Sequence, residues 1–184
     1  ASTLVDFGLT DGDALRQRYN GMVNIPLVSD QLALRVVGFY RDEDGWVDNL
    51  GTGIEGSNSL KAVGGRAHLL WEPTSKFDVG LLIIREDNEP ADSSLTNPDR
   101  GEFIRYTDRP DLFQSDMTSY NLTANWDMDF ATLTSSSNYS KIDGKFIVDL
   151  AGTFGGGIPF ALDAVGHDEN FVQEVRLASA DGGN

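Results

Sequence analysis

The sequence predicts an all-β protein, built as an antiparallel up-and-down meander of about eight strands. The first observation is a period of two, since apolar or aromatic residues alternate with polar ones in most segments between turns. The second is that tight turns alternate with long polar connections. The third is that the aromatic residues cluster near the two ends of the apolar face.

The strands are predicted in chain order from this alternation. They cover, to within a few residues, 2–9, 14–27, 31–42, 59–72, 77–87, 116–127, 130–142 and 170–179. The segment TSYNLTANW, 118–126, has the clearest pattern, because its apolar and aromatic residues alternate with serine, threonine and asparagine. Near 59–72 the same pattern sets Ala67 and Leu69 against Arg66 and His68. Such strands have one apolar and one polar face.

The connections between these strands differ in length. Tight turns follow the second, fourth and sixth strands, at VSD, PTSK and DMD. Long polar loops follow the third, fifth and seventh, at 43–58, 88–115 and 144–169, and only the short TDGD breaks the alternation. In a meander the long loops then share one end of the sheet and the tight turns share the other. Outer-membrane barrels sort their loops in this way, whereas soluble sandwiches have no reason to.

Composition excludes several classes of protein. A net charge of −15 repels a phosphate backbone, so nucleic acid is not an expected partner. The chain has no cysteine, which excludes disulfides, thiolate metal sites and a thiol nucleophile. Its longest apolar core, in VGLLIIRED, is much shorter than the roughly 18 residues of a membrane-spanning helix. Alternating strands that cross a membrane are not excluded by this test.

Both ends of the sequence are expected to lie inside a longer chain. The start, ASTLVDFGLT, has no initiator methionine and no basic or apolar leader region. The end, SADGGN, is typical of a turn.

The aromatic residues indicate which solvent the apolar face meets. By the meander rule one group lies near the tight turns and the other near the long loops, and two such belts are typical of the interfaces of a bilayer. The predicted interface residues are Trp71, Phe77 and Trp126 at the first end and Tyr40, Tyr120 and Tyr139 at the second. Leu82 and Ile84 do not fit this division, because they fall on the polar face. Either they contact something packed inside a barrel, or the register of their strand is different.

Four segments, taken in order, resemble successive hairpins of a TonB-dependent outer-membrane receptor. They are LALRVVGFYRDEDGWVDN, GGRAHLLWEPTSKFDVGLLI, NLTANWDMDFATLTSSSNYS and FVQEVRLAS. The resemblance implies that residues 1–184 form about eight strands of a transmembrane β-barrel that has about 22 strands and encloses a plug domain. The plug, the TonB box and the remaining strands would lie outside these residues.

The resemblance also implies energy-coupled import of a scarce nutrient, such as a siderophore, cobalamin or an oligosaccharide, across a Gram-negative outer membrane. The expected partners are outer-membrane lipid and lipopolysaccharide, the plug, TonB through a segment outside this sequence, and the small-molecule or oligosaccharide ligand. No enzymatic activity, cofactor or metal is implied. The residues expected to face the plug or the ligand are Arg35, Arg66, His68, Asn121, Asn125, Glu174 and Arg176.

Two loop segments have a second interpretation. RDEDGWVDN, 41–49, faintly resembles a calcium loop but lacks the EF-hand spacing, so we expect a solvated loop tip. A divalent site that bridges lipopolysaccharide phosphates is the alternative. Trp46 in this segment is a candidate to stack on a ligand, or else it anchors the loop to its neighbour. GTFGGGIPF, 152–160, lacks the lysine of a phosphate-binding loop, and we expect a flexible surface loop.

Three alternatives to the receptor differ in fold or in chemistry. A complete small eight-stranded outer-membrane barrel would act as an anchor or adhesin, although serine, glycine and alanine would fill its narrow interior poorly. A soluble β-sandwich would bury the apolar face against a second layer and bind carbohydrate through acidic loops that hold Ca²⁺. An enzyme is not expected, because the sequence contains neither GxSxG nor HExxH.

Overall fold

The computed structural model describes residues 1–10, 13–154 and 160–179. Parts of three predicted features lie outside these residues: TDGD at 11–12, the glycine-rich GTFGGGIPF at 155–159, and the turn SADGGN after Ser179. In the described part of the chain, no helix is both long enough and apolar enough to cross a membrane.

Eight long strands form one antiparallel sheet in the order β1-β2-β3-β5-β6-β8-β9-β10. They are β1 (Ser2–Thr10), β2 (Ala14–Val28), β3 (Leu32–Glu43), β5 (Leu60–Thr74), β6 (Phe77–Pro90), β8 (Leu112–Asp127), β9 (Ala131–Asp149) and β10 (Ala161–Ser179). Two short strands, β4 (Asp48–Asn49) and β7 (Ile104–Arg105), pair in parallel outside this sheet. The helix α1 spans Leu150–Phe154, and Pro98–Arg100 form a 3-10 turn. The predicted up-and-down meander is confirmed.

The third long connection was predicted wrongly over most of its length. β9 continues to Asp149 and β10 begins at Ala161, so residues 144–149 and 161–169 are strand and not loop. The ladder continues because Lys141 to Asp149 pair one to one with Glu169 to Ala161. The sequence pattern fails here because charged residues such as Lys145 replace apolar ones on the face that is apolar further along the strand.

The sorting of the connections is confirmed. β2–β3, β5–β6 and β8–β9 are joined by tight turns at one end of the sheet, and the long connections lie at the other end. Asp30 and Asp129 lie in two of these turns with φ of 56° and 70°. This left-handed conformation is tolerated by aspartate better than by most residues with a side chain, which explains why turns without glycine can be so short.

The large sheet is open and uncovered in the part of the chain that the structure describes. β1 pairs only with β2 and β10 pairs only with β9, so the first and last strands leave two free edges. The apolar face packs against no second layer there, and Leu122 and Trp126 are 48% and 51% exposed. This arrangement differs from a sandwich, whose inner face is buried, and from a closed eight-stranded barrel.

Candidate functional site: the polar face and the loop cap

The register collects the seven predicted plug- or ligand-facing residues on one side of the sheet, which we call the polar face. Arg35 lies opposite His68. His68 is opposite Leu82, which in turn is opposite Asn121. Arg66 lies on the same face because it precedes His68 by two residues on β5. Pairing with β9 places three more residues on this face: Asn125, Glu174 and Arg176. Their role in contacting a plug or a ligand stays a prediction.

The polar face carries a neutral strip on β8 and β9. Asn121 Nδ2 donates a hydrogen bond to Ser136 Oγ at 3.2 Å, and Thr134 Oγ1 donates to Asn125 Oδ1 at 2.9 Å. Asn125 Nδ2 also donates to Asp78 Oδ2 on β6 at 2.9 Å. These side chains satisfy one another across the ladder, so the strip keeps its shape without a bound partner.

The basic residues of the polar face lie on the neighbouring strands and have a different character. Arg35, Arg66 and His68 line a cavity of about 300 Å³ together with Leu82. Ile84 is opposite Arg66 and Leu82 is opposite His68. The predicted register of β6 is therefore confirmed, and its two apolar side chains do lie on the polar face.

The predicted aromatic residues all lie on the opposite, apolar face, in two rows. Near the tight turns the rings of Trp71 and Phe77 meet edge to face at 6.4 Å, and Phe77 is directly opposite Trp126. Near the long loops Tyr120 stacks on Tyr139 with ring centroids 6.4 Å apart, and the ring of Tyr40 lies 6.2 Å from that of Tyr19. Their assignment to membrane interfaces stays a prediction.

Beyond the tyrosine row, the same face of the sheet becomes charged. Arg85 lies 2.6 Å from Asp116, and Lys141 lies 3.1 Å from Asp143. His167 Nδ1 is 2.5 Å from Asp143 Oδ1. This hydrogen bond raises the pKa of His167, and hydrogen bonds from His167 and Lys141 lower the pKa of the Asp143 carboxyl. On β6, β8 and β9 charged side chains therefore follow the tyrosine row, whereas Leu9, Leu15 and Val165 on β1, β2 and β10 remain apolar beyond it.

The long connections pack together into a unit that we call the loop cap, formed by residues 44–59, 91–111 and 149–152. Val47, Asn49 and Thr107 in this unit are buried almost completely. The connection after β3 meets the connection after β6 through the β4–β7 pair. Among the described residues, most of the fully buried side chains lie here and not in the large sheet.

An ionic and hydrogen-bonded network holds the loop cap together. Arg105 forms ion pairs with Asp111 and with Asp92, whose carboxylate is 3.5 Å from Arg105 Nε. Asp111 Oδ1 accepts a hydrogen bond from the backbone N–H of Asp149 at 2.7 Å. Asn49 Nδ2 donates to Asp92 Oδ2 at 2.9 Å. One network thus joins all three connections, and burial strengthens its charged hydrogen bonds.

Glycine is required where two of these connections touch. A Cβ atom on Gly51 would lie 2.1 Å from the carbonyl oxygen of Thr107, which is far inside van der Waals contact. The backbone of the first connection can therefore approach that of the second only without a side chain at this position.

The expectation of a solvated tip at RDEDGWVDN is wrong. Val47 and Asn49 are buried because this segment pairs with Ile104 and Arg105 of the neighbouring connection. Trp46 is half-buried, and its ring meets the edge of Phe103 at 5.2 Å, so it anchors the loop to its neighbour. No group of three or more histidine, aspartate or glutamate side chains in the described residues is arranged to hold a metal ion.

Sequence reasoning missed the loop cap. Asp92, Arg105 and Asp111 are separated by turns and irregular chain, so no period connects them. The available signal was the presence of apolar residues in the first loop, namely Trp46, Val47, Leu50 and Ile54. Such residues indicate burial but do not identify a partner, and Leu50 and Ile54 are in fact exposed.

Comparison with known proteins supports the fold. No family model matches the sequence, and no curated protein matches it. The structure is similar to the crystal structure of the ferric yersiniabactin uptake receptor FyuA from Yersinia pestis, with a TM-score of 0.74 and 16% sequence identity. The match covers 98% of this chain and 28% of that chain. The protein therefore has the fold of part of an uptake-receptor β-barrel, as an antiparallel run of eight strands.

Proposed function

We propose that residues 1–184 form part of the β-barrel of a TonB-dependent receptor in a Gram-negative outer membrane, with the plug and the remaining strands outside this sequence. The receptor would import a scarce nutrient such as a siderophore, cobalamin or an oligosaccharide. The observation that carries this proposal is the open eight-stranded sheet, whose exposed apolar face carries two rows of aromatic residues. The similarity to an uptake receptor makes a siderophore the first ligand to test.

The dimensions of the apolar band support a bilayer as its surroundings. Eight residue steps separate Ala131 from Tyr139, which is roughly 27 Å along the strand and roughly 20 Å after a tilt of about 40°. This height is close to that of the apolar band of an outer-membrane barrel, about 25 Å. Exposed Leu122 and Trp126 would be covered by hydrocarbon instead of water.

The free edges of β1 and β10 support a barrel that is larger than this sheet. Each edge carries a row of backbone N–H and C=O groups without a ladder partner in the described residues. Such groups cost several kcal/mol each in hydrocarbon, so a membrane-spanning sheet has to close on itself. Further strands of the same protein are the simplest partners for both edges.

The loop cap is the part of the chain that would meet the ligand first. It lies at the end of the sheet that carries the long connections, which would face the outside of the cell. Leu50 and Leu95 are exposed apolar residues on it. Tyr106 is also exposed, and the guanidinium of Arg100 lies over one side of its ring, with Cζ 4.4 Å from the ring centroid. The apolar face would form the outside of the barrel, where it would contact lipid and lipopolysaccharide. On the inner wall, the polar face would contact the plug.

An uptake experiment tests this function. The full-length gene would be deleted and restored in its host, and cellular uptake of labelled ferric siderophores, cobalamin and maltodextrins would be measured. We expect one nutrient class to lose uptake on deletion, and we expect the same loss when TonB is removed with the receptor present. Unchanged uptake of every class, or uptake that continues without TonB, would contradict the proposal.

A further inference from the structure

The polar face carries a group of basic residues on two neighbouring strands. We call Arg35, Arg66 and His68 the basic patch; Arg35 lies on β3 and the other two lie on β5. Arg35 is directly opposite His68 in the ladder, and Arg66 precedes His68 by two residues. All three side chains therefore project from the same face.

The described part of the chain supplies no acidic partner to the basic patch. None of its three residues forms an ion pair or a side-chain hydrogen bond there, and no acidic residue lines their cavity. Other arginines of the same face do have partners, since Arg18 lies 2.6 Å from Glu43 and Arg16 lies 3.3 Å from Asp6. The basic patch therefore differs from these two arginines of β2, and it shares the lack of an acidic partner in the described residues with Arg176 on β10.

Glu86 is the carboxylate of the polar face that lines the adjoining cavity with Arg66. It is opposite Gly64 in the ladder and lies two residues along β6 from Ile84, and it forms no ion pair with Arg66 in the described part of the chain. Two guanidinium groups that share a cavity repel each other unless an anion lies between them. A carboxylate that reached both would gain charge-assisted hydrogen bonds.

Apolar side chains interleave with the basic patch. Val37 and Ile84 are the ladder neighbours of Arg66 on either side, and Leu82 is the neighbour of His68. All three apolar side chains are only half-buried. A water-filled path for a solute would leave them in contact with water, whereas a packed polypeptide segment would cover them.

The position of the patch along the sheet also favours a polypeptide. His68 lies three residues before Trp71, close to the tight turns, and the loop cap is at the other end. A ligand that arrives over the loop cap would reach this region last. A segment that fills the barrel would occupy it permanently.

We propose that the basic patch docks an acidic segment of the polypeptide that fills the barrel, with its carboxylates on Arg35 and Arg66 and its apolar side chains on Val37, Leu82 and Ile84. This inference rests on the proposed receptor function, because that function supplies the enclosed segment. Beyond that function, it specifies that the docked segment is acidic and that it contacts the polar face at Arg35 and Arg66.

Zero-length cross-linking of the full-length protein tests the docking. Arg66→Lys keeps the positive charge and adds a primary amine, which a carbodiimide joins to a carboxylate only when the two groups touch. Peptide mapping by mass spectrometry then identifies the partner. We expect a cross-link from position 66 to an aspartate or glutamate outside residues 1–184, and the same partner segment for Arg35→Lys.

Arg18→Lys is the matched control, because it lies on the same face and already has a partner in Glu43. The docking is overturned if position 18 links to Glu43 while positions 66 and 35 link to nothing, or only to carboxylates of this sheet such as Glu86. The cross-link needs no transport. A docked segment in a protein that moves no nutrient would refute the receptor function alone, and uptake without a cross-link would refute the docking alone.

Discussion

Arg105 and Asp111 form an ion pair in which the side chains are only 2% and 1% exposed. They lie in the same connection, and Asp111 also accepts a hydrogen bond from the backbone of Asp149 in another connection. Removing one residue of such a deeply buried pair is costly, because the charge of the other residue is left buried without a partner. Loss of this pair is therefore expected to destabilise the loop cap.

Replacing Arg105 by methionine should release the loop cap while leaving the sheet folded. The change leaves Asp92 and Asp111 buried without a cation, and we expect a loss of about 3–5 kcal/mol in the local opening free energy. Hydrogen exchange of the amides of residues 44–59 and 91–111 in the full-length protein measures this loss. Arg100→Met is the control, since Arg100 is exposed and only covers Tyr106. Equal exchange in both variants would show that the pair does not hold the cap.

Gly51→Ala should separate two connections of the loop cap. The new methyl group would meet the carbonyl oxygen of Thr107 at 2.1 Å, so the backbone has to move, at a cost of about 1–3 kcal/mol or more. We expect faster proteolysis within 91–111 and a lower unfolding temperature. Gly21→Ala is the matched control, because a Cβ on Gly21 meets nothing within 4 Å. The contact is unimportant if the two variants behave alike.

The contact between His167 and Asp143 should make the stability of the β9–β10 pair depend on pH near the long-loop end of the sheet. Because the folded pKa of His167 is raised, its contribution to stability is complete below the unfolded pKa of about 6.5 and is lost as the pH rises through the folded value. Asp143 must stay ionised, and its lowered pKa keeps its own contribution in place above about pH 4. The window of extra stability therefore lies between about pH 4 and the folded pKa of His167.

An NMR titration of the His167 ring in the full-length protein measures the shift directly. In parallel, His167→Gln should lower the unfolding temperature more at about pH 5.5 than at about pH 8.5, because these two values lie on either side of the ordinary histidine pKa. The effect will be small, because the pair is half exposed and screened by salt. A ring pKa at or below the ordinary value would contradict the contact.

Quenching of tryptophan fluorescence separates a lipid-facing sheet from a buried one. In single-tryptophan variants of the full-length protein, reconstituted in vesicles with brominated acyl chains, Trp126 should be quenched strongly because it is exposed on the apolar face. Trp46 is the control, since it lies in the loop cap against Phe103. Equal quenching of the two residues, or none for Trp126, would remove the membrane from the proposal.

The sheet was largely predictable because its information is local. Alternation around Leu122 and Trp126, and the turn residues at Asp30 and Asp129, determine strand, face and end within a few neighbouring positions. The prediction failed at Lys145, where β9 continues beyond the apolar band and a charged side chain lies on the face that carries Leu133 and Tyr139. There the backbone ladder continues although the side-chain pattern that revealed it has changed.

The loop cap was not predictable, because its partners are far apart in the sequence. Asn49 donates to Asp92 and to Thr107, 43 and 58 residues away, and no repeat or spacing links such positions. The basic patch is an intermediate case. Its residues could be assigned to one face from alternation, but the absence of a carboxylate beside them required the register of three strands.

The free edges of β1 and β10 have a practical consequence for anyone who expresses these 184 residues alone. Each edge offers a template for strand addition, and the adjacent apolar surface would drive copies together in water. Recombinant material is expected to collect in inclusion bodies or fibrous assemblies instead of refolding as monomers. Spectra or binding curves from such a preparation would describe the aggregate and not the eight-stranded sheet.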